Sequence, residues 1–189
     1  MFQPKVLGTK VIFGPCRLSY THVFQKYSPD GDDASGKYQT NVLIPKTEKE
    51  TIKALKDAIE EAKRAALVSK WGGKEPRKLQ LPLSDGDEKD DETYEGHFYV
   101  NAKCSTRPGI VDRDKAPITD EEEIYSGVWA VVSVTFFGYD TNGNRGVACG
   151  LNNIMKWRDD ERLGGRVSAQ ADFADFGDDM ADEADDDML

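Results

Sequence analysis

The possible folds of this chain are limited most by a long apolar run, Tyr125 to Tyr139, which is followed by a tight turn. The turn is Asp140-Thr141-Asn142-Gly143-Asn144, and Asn-Gly is a preferred dipeptide of two-residue β-hairpin turns. A second strand-like segment, Arg145 to Trp157, follows directly. The pattern therefore predicts an antiparallel hairpin of two long strands.

Three further segments have the composition of strands. Residues 5 to 20 are rich in β-branched and aromatic residues but are broken by glycines, which predicts a bent first strand. Residues 21 to 35 are turn-rich and are interpreted as a loop. Strands are predicted from Gly36 to Ile44 and from His97 to Ser105, with long polar connections at 74 to 96 and 107 to 123.

One helix is predicted after Pro45. Thr47 and Glu50 have the spacing of a capping box, with Thr47 as the N-cap. Apolar residues then recur every three or four positions and form one stripe: Ile52, Leu55, Ile59, Ala62, Ala66 and Leu67. We expect the helix to end near Trp71-Gly72-Gly73.

Five strand-like segments with one helix between the early and late groups predict a mainly β (α+β) fold. A barrel that is closed, or nearly so, protects strand edges from pairing with other chains. We therefore predict a single OB-fold β-barrel of about five strands over residues 1–166, with one amphipathic helix and long loops. Residues 167–189 are poor in bulky apolar groups and strongly acidic, which predicts a disordered tail.

The net charge of −10 is unevenly distributed. Ala171 to Leu189 contain nine acidic residues and no basic one, and Ser84 to Gly96 contain seven acidic residues and only one lysine. Outside these two segments the chain has 24 basic and 19 acidic residues. The rest of the chain can therefore offer a basic surface to a polyanion.

The composition argues against several other classes of protein. No apolar run is long enough to span a bilayer, and the N-terminus lacks the apolar stretch of a secretory signal, so we expect a cytoplasmic protein without membrane contact. Cys16, Cys104 and Cys149 lie far apart in strand-like segments and are interpreted as buried free thiols. Only two histidines accompany them, without metal-site spacing, so we expect no metal and no cofactor.

The predicted strands separate into two faces when read with a period of two. In the longest run, one face is wholly apolar and is interpreted as core: Val128, Ala130, Val132, Val134 and Phe136. The other face is aromatic and polar. The strand from His97 likewise places His97, Tyr99, Asn101 and Lys103 opposite an apolar row, and the strand from Gly36 separates Lys37, Gln39, Asn41 and Leu43.

An aromatic and basic strand face suits single-stranded nucleic acid, because unpaired bases stack on rings while Lys and Arg follow the phosphates. The stacking candidates are Tyr99, Trp129, Tyr139 and Trp157. The phosphate candidates are Lys37, Lys103, Arg107, Arg145, Lys156 and Arg158, and His97 and Asn101 complete the predicted binding set. The alternative for each aromatic residue is packing under the helix or loops. Phe13, Phe98 and Phe136 are assigned to the core.

An ordered set of short motifs resembles one protein family. The set comprises Tyr125-Ser126-Gly127, Phe137-Gly138-Tyr139, Asn142-Gly143-Asn144 and the closing residues 158–165, preceded by residues 8–20 and 37–45. Together they are similar to phage-encoded single-stranded DNA-binding proteins. The resemblance covers about residues 5 to 176 and implies an OB-fold protein that coats single-stranded DNA during phage DNA replication or recombination, in the host cell cytoplasm.

The resemblance also implies an acidic C-terminal tail, and we expect this tail to compete with DNA and to dock phage or host replication and recombination proteins. Such tails often finish on an aromatic residue or Pro-Phe, whereas this chain ends on aspartates, Met and Leu. Its aromatic residues lie upstream. The predicted partner-binding residues are Phe173, Phe176, Asp185, Asp186, Asp187, Met188 and Leu189.

Two other functions remain as alternatives. The acidic run from Asp85 to Glu92 could hold Mg²⁺ for nucleic-acid cleavage. That run has turn chemistry and no periodicity, whereas metal-site carboxylates need rigid elements, so we expect no catalytic residue and no enzyme. The second alternative is an acidic interaction module whose tail mimics nucleic acid by its charge.

Overall fold

The computed structural model describes residues 1–31 and 34–164. The strands are β1 (Lys5–Leu7), β2 (Lys10–Tyr27), β3 (Lys37–Pro45), β4 (Leu83–Asp85), β5 (His97–Cys104), β6 (Gly109–Val111), β7 (Trp129–Thr141) and β8 (Asn144–Arg158), with one α-helix, α1 (Lys49–Ser69). Short 3-10 turns lie at Gly86–Glu88, Glu92–Tyr94 and Glu121–Glu123.

Five of the strands form a closed barrel. They pair in the order β5-β3-β2-β7-β8, and a short parallel contact between β5 and β8 closes the ring at Ala102–Cys149 and Lys103–Gly150. β1, β4 and β6 are three-residue strands that pair with β2, β5 and β8, respectively. The prediction of a mainly β barrel of about five strands with one helix is confirmed.

The predicted hairpin forms the longest ladder of the barrel. β7 and β8 pair antiparallel from Trp129 to Thr141, across the Asn142-Gly143 turn. All five residues assigned to the apolar face of this run are buried. Burying a Val or Phe side chain contributes about 1.5–3 kcal/mol, so this face supplies a large share of the core energy.

The helix packs mainly against β7 through the predicted stripe. Five of the six predicted stripe residues are buried, and Leu67 at the C-terminal end is half-buried. The predicted start is wrong by one residue: Glu48 rather than Thr47 is the N-cap, it makes no side-chain capping bond, and Thr47 lies outside the helix. The helix ends at Ser69, two residues before Trp71. The Trp71 indole N–H donates to the Tyr139 carbonyl at 3.1 Å.

Two strand predictions need correction. β2 does not end at residue 20 but continues to Tyr27, because an irregularity between Ser19 and His22 lets the strand resume pairing with β3. Tyr20 lies within this irregularity with a positive φ of 47°. The predicted polar face of β3 is also partly covered, since Asn41 and Leu43 are buried.

The remaining core predictions are met in part. Phe13 and Phe136 are buried, whereas Phe98 is only half-buried and carries the ammonium groups of Lys46 and Lys56 over its ring. The three cysteines are free thiols; burial raises the pKa of Cys16 and Cys149, and Cys104 is half-buried. Among the described residues, no helix is long and apolar enough to cross a membrane.

Candidate nucleic-acid interface

A groove of about 440 Å³ brings together five of the predicted binding residues. These five are Lys37, Tyr99, Asn101, Lys103 and Tyr139. The other lining residues are Gln80, Leu81, Pro82, Ser84, Phe137, Val147, Ala148 and Cys149. We call this surface the open groove.

The barrel closure positions these side chains. Tyr99, Asn101 and Lys103 alternate along β5 and therefore point to the same, outer face. The parallel contact with β8 places Lys103 opposite Gly150, which brings the β7–β8 hairpin alongside. The Phe137 ring lies against the bare backbone of Gly150, where an added Cβ would be 3.3 Å from Cε1 of the ring. Phe137 remains 50% exposed.

The cations of the open groove are not neutralised locally. Lys37 and Lys103 are exposed, and neither forms an ion pair with any residue of 1–31 or 34–164. Tyr139 is fixed at the edge of the groove, where its hydroxyl donates to Gln80 Oε1 at 2.8 Å. The groove therefore combines rings with lysines that are available to an anion.

A tyrosine cluster adjoins the open groove at Tyr99. The rings of Tyr94 and Tyr99 meet edge-on at 5.0 Å, and the Tyr20 ring lies 6.4 Å from Tyr94. The Lys89 ammonium lies 4.3 to 5.4 Å from the three ring centroids. Tyr94 is buried, which raises its pKa, and its hydroxyl accepts a 2.7 Å hydrogen bond from Asn41 Nδ2. Tyr20 is 53% exposed and extends the aromatic surface.

The acidic segment around residues 85–92 is folded against this face by its own contacts. Lys46 Nζ lies 2.6 Å from carboxylate oxygens of both Asp85 and Asp87 and lowers the pKa of both. Asp87 also accepts from the Gly96 N–H, and Asp91 accepts from the Thr93 N–H. These carboxylates serve as caps and ion-pair partners within the segment.

A second set of predicted residues lies at the far end of β7 and β8, and we call it the paired end. The Trp129 indole N–H donates to Asp160 Oδ2 at 2.7 Å, and the Arg158 guanidinium lies 4.3 Å from the Trp129 ring centroid. Arg158 is also 3.6 Å from the same Asp160 oxygen. The ring and the cation are therefore engaged with each other and with one carboxylate.

Lys156 and Trp157 complete the paired end. Lys156 contacts Glu123 and lies 2.8 Å from Asp159 Oδ1, with only 11% of its side chain exposed. Burial opposes its charge, but the two carboxylates raise the pKa of Lys156. Trp157 meets Phe2 edge-on at 4.9 Å, and the Arg113 guanidinium lies 4.1 Å from its ring centroid.

The three remaining predicted residues lie outside both surfaces. His97 Nδ1 lies 2.7 Å from the Glu95 carbonyl oxygen. The Arg107 guanidinium lies 4.9 Å from the ring centroid of Phe24. Arg145 Nε donates to Asp140 at 2.8 Å. The predicted partner-binding residues, from Phe173 to Leu189, lie outside the described residues.

The residues before the acidic C-terminus are anchored beside β2. Leu163 N–H donates to the Ser126 carbonyl at 2.8 Å, and the Ser126 hydroxyl accepts from the Thr21 N–H at 3.0 Å. Gly127, with a φ of 116°, permits this close approach, because a Cβ there would lie 2.2 Å from the Glu161 carbonyl oxygen. Residues 163–164 therefore lie near Thr21, which directly follows Tyr20 in the chain.

The sequence did not lead us to predict Phe137, Tyr20 or Lys89 as nucleic-acid-binding residues. Phe137 carried a usable signal, since the period-two pattern already placed it on the outward aromatic face of its run. Tyr20 lies at a strand irregularity and Lys89 lies in an acidic turn, so neither follows a period that could have placed it.

Comparisons with known proteins agree with this architecture. Residues 9–189 match the family model described as the ssDNA-binding protein of Enterobacter phage Enc34. A "putative protein p50" of Acyrthosiphon pisum secondary endosymbiont phage 1 is 32% identical over 185 residues, which cover 92% of this chain and 96% of that protein.

Two solved structures are also similar. The single-stranded DNA-binding protein of bacteriophage Enc34 in complex with ssDNA matches with a TM-score of 0.72 and 26% identity, over 82% of this chain and 90% of that one. Gp2.5, a single-stranded DNA-binding protein of bacteriophage T7, shares the fold with a TM-score of 0.60 and 16% identity, over 84% and 97% of the two chains. The chain therefore belongs to the family of phage single-stranded DNA-binding proteins represented by that of phage Enc34.

Proposed function

We propose that this chain binds single-stranded DNA in the open groove without strong sequence preference. The observation that carries the proposal is the presence of two unpaired lysines, Lys37 and Lys103, beside the rings of Tyr99 and Phe137. Each base stacked on a ring contributes about 1–3 kcal/mol, and stacking tolerates any base because every base has a π-face. The lysines contact the phosphates between stacked bases.

This mode of binding selects single strands over duplex. Paired bases hide the faces that the rings require, so duplex DNA can use only the phosphate contacts. Salt weakens the phosphate contacts through counterion release but does not weaken stacking to the same extent. Binding therefore falls with salt and retains a salt-resistant part.

The biological role that we propose is coating of single-stranded DNA during phage DNA replication or recombination, without catalysis. Membership of a phage single-stranded DNA-binding family supports it. The alternative of a nuclease using residues 85–92 is less well supported, because Asp85, Asp87 and Asp91 already serve as ion-pair and turn partners. The host cytoplasm is the corresponding compartment.

We further propose that the acidic C-terminal segment competes with DNA and docks partner proteins. Its anchored start lies beside Thr21, close to the tyrosine cluster. The 25 residues from 165 to 189 can span at most roughly 90 Å when extended, which is enough to reach the groove. Displacement by DNA would free Phe173, Phe176 and the terminal aspartates, Met188 and Leu189 for phage or host replication and recombination proteins.

A filter-binding assay with single-stranded and duplex oligonucleotides of equal length, with and without Mg²⁺, tests the proposal. We expect retention of single strands in both conditions, weaker retention of duplex and intact DNA afterwards. Cleavage would identify a nuclease instead. Absence of binding to any DNA would favour the acidic interaction module, and equal affinity for single strands and duplex would remove the stacking contribution.

A further inference from the structure

A basic loop lies directly after α1, and its cations have no ion-pair partners. Residues 70–78 contain four cations, Lys70, Lys74, Arg77 and Lys78, and all four are exposed. None of them forms an ion pair with any residue in the described part of the chain. The single carboxylate of the loop, Glu75, lies 3.3 Å from Lys63 on the helix.

The helix next to this loop shows the opposite arrangement. Lys53 pairs with Asp57, Lys63 with Glu60, and Arg64 with Glu61, each within one turn. Three of the five cations of α1 are thus paired within the helix, whereas none of the four loop cations pairs with a described residue. Four like charges close together produce a positive potential that attracts an anionic polymer.

The loop is fixed at both ends to the β7–β8 hairpin. At its start, Trp71 is buried and bonds to the Tyr139 carbonyl. At its end, Gln80 N–H donates to the Arg145 carbonyl at 3.0 Å, and Val147 N–H donates to the Gln80 carbonyl at 2.9 Å. Two fixed ends hold the intervening cations at a defined place on the surface.

The C-terminal end of the loop adjoins the open groove. Gln80, Leu81 and Pro82 line the groove, and consecutive Cα atoms are 3.80 Å apart, so the Lys78 Cα lies within about 8 Å of the Gln80 Cα. Arg77 and Lys74 precede Lys78 in the chain. A DNA strand that leaves the groove past Gln80 and Leu81 therefore comes next to the cations of the loop.

We propose that the basic loop, residues 70–78, is a second phosphate-binding site that extends the single-stranded DNA path beyond the barrel groove. The proposal rests on the proposed function of the groove itself. The loop supplies charge but no exposed ring, because Trp71 is buried. It therefore holds the backbone of the nucleotides that leave the groove and leaves their bases unstacked. A DNA strand that only fills the groove does not contact it.

The test compares a loop variant with a control of equal charge change. The loop variant carries Lys74→Gln, Arg77→Gln and Lys78→Gln, and the control carries Lys5→Gln, Lys49→Gln and Lys53→Gln. Lys49 and Lys53 lie in the first turns of α1, roughly 25 to 30 Å along the helix from the loop. A third variant, Lys74→Arg with Arg77→Lys and Lys78→Arg, preserves the charge and is expected to bind like the unchanged protein.

Affinity for oligothymidylates of about 4 to 16 nucleotides is measured by fluorescence anisotropy over a salt series, with melting temperature as the check on folding. On the longest oligonucleotide, the loop variant should make the negative slope of log K against log salt shallower by about 2, since each of three lost contacts contributes about 0.7 for a single strand. On the shortest oligonucleotide, its slope should equal that of the unchanged protein. The control and the charge-preserving variant should change neither slope.

A loop variant that matches the control at every length would overturn the inference and leave the groove proposal intact. An equal loss on the shortest and longest oligonucleotides would also overturn it, because the loop would then act within the groove. If the unchanged protein binds no oligonucleotide, both this inference and the proposed function are wrong.

Discussion

The open groove and the paired end are built from the same residue types on the same barrel, yet they differ in what their charges contact. In the open groove, Lys37 and Lys103 are exposed and form no ion pair within the described residues. At the paired end, Lys156 contacts two carboxylates, and Arg158 covers Trp129 next to Asp160. A cation already paired with a carboxylate has less to gain from a phosphate, because binding must first break the existing pair.

The difference indicates separate roles for the two regions. The open groove keeps rings and charges available, as a DNA-binding surface requires. The paired end uses similar groups to hold residues 158–163 against the barrel, where Tyr125 also donates to Asp159 and Arg17 donates to the Glu161 carbonyl. We infer that the paired end fixes the point from which the acidic C-terminal segment departs.

The largest expected effect separates the two aromatic sites. Tyr99→Ala should weaken single-stranded DNA binding about 5- to 150-fold, which corresponds to the roughly 1–3 kcal/mol of one stacked base, with little change in melting temperature. Trp129→Ala should instead lower the melting temperature and leave affinity nearly unchanged. Anisotropy titrations and thermal unfolding measure both quantities.

Equal losses of affinity in Tyr99→Ala and Trp129→Ala would show that DNA also contacts the paired end, as the sequence alone predicted. If Tyr99→Ala unfolds the protein, Phe137→Ala is the second test of the groove. Its ring is half exposed and contacts the Gly150 backbone, so its removal should cost affinity before it costs stability.

A smaller effect is expected from removing charge. The double variant Lys37→Gln with Lys103→Gln should make the negative slope of log K against log salt for single-stranded DNA shallower by about 1.4, because each lost phosphate contact contributes about 0.7. Lys156→Gln should leave the slope unchanged and reduce stability, since it leaves Glu123 and Asp159 without their cation. A reduced slope in Lys156→Gln would show that the paired lysine exchanges its carboxylates for phosphate.

A still smaller gain is expected from removing the competitor. Truncation after Gln170 deletes nine acidic residues and should tighten DNA binding at low salt, with the gain shrinking as salt screens the charges. The melting temperature should not change, because the truncation leaves residues 1–164 and their contacts intact. Unchanged affinity at low ionic strength would contradict competition and leave only partner docking to be tested.

The smallest expected effect is an acid transition at the paired end, which contains Trp129 and Trp157 as fluorescent reporters. The Trp129 indole N–H and the Glu161 backbone N–H lower the pKa of Asp160, and Lys156 lowers that of Asp159. Carboxylates with a lowered pKa stabilise the fold above their ordinary value near 3.8, and this stabilisation is lost as pH falls through the lower folded value. Tryptophan fluorescence should therefore change on acidification below about pH 4.

Asp160→Asn should reduce that fluorescence change, whereas Asp57→Asn, which alters an exposed helix pair, should not. An acid transition of equal size in all three proteins would show that the paired end is not the element that titrates.

The sequence by itself determined the features that follow a local period. The Asn-Gly turn set the hairpin, alternation set the buried face of β7, and three- and four-residue spacing set the buried stripe of α1. It also carried the family motifs. Each of these depends on residues close together in the chain, because backbone geometry fixes which side of a strand or helix a side chain occupies.

Only the tertiary structure decided which candidates form one site. The short β5–β8 contact joins residues 102–103 to residues 149–150 and thereby brings Tyr139 and Phe137 beside Tyr99 and Lys103. The sequence also did not show which lysines are paired with carboxylates. Lys156, for example, contacts Glu123, which lies in a turn far away in the chain. Such pairings depend on distances in space between segments far apart in the chain, and no period within one segment encodes those distances.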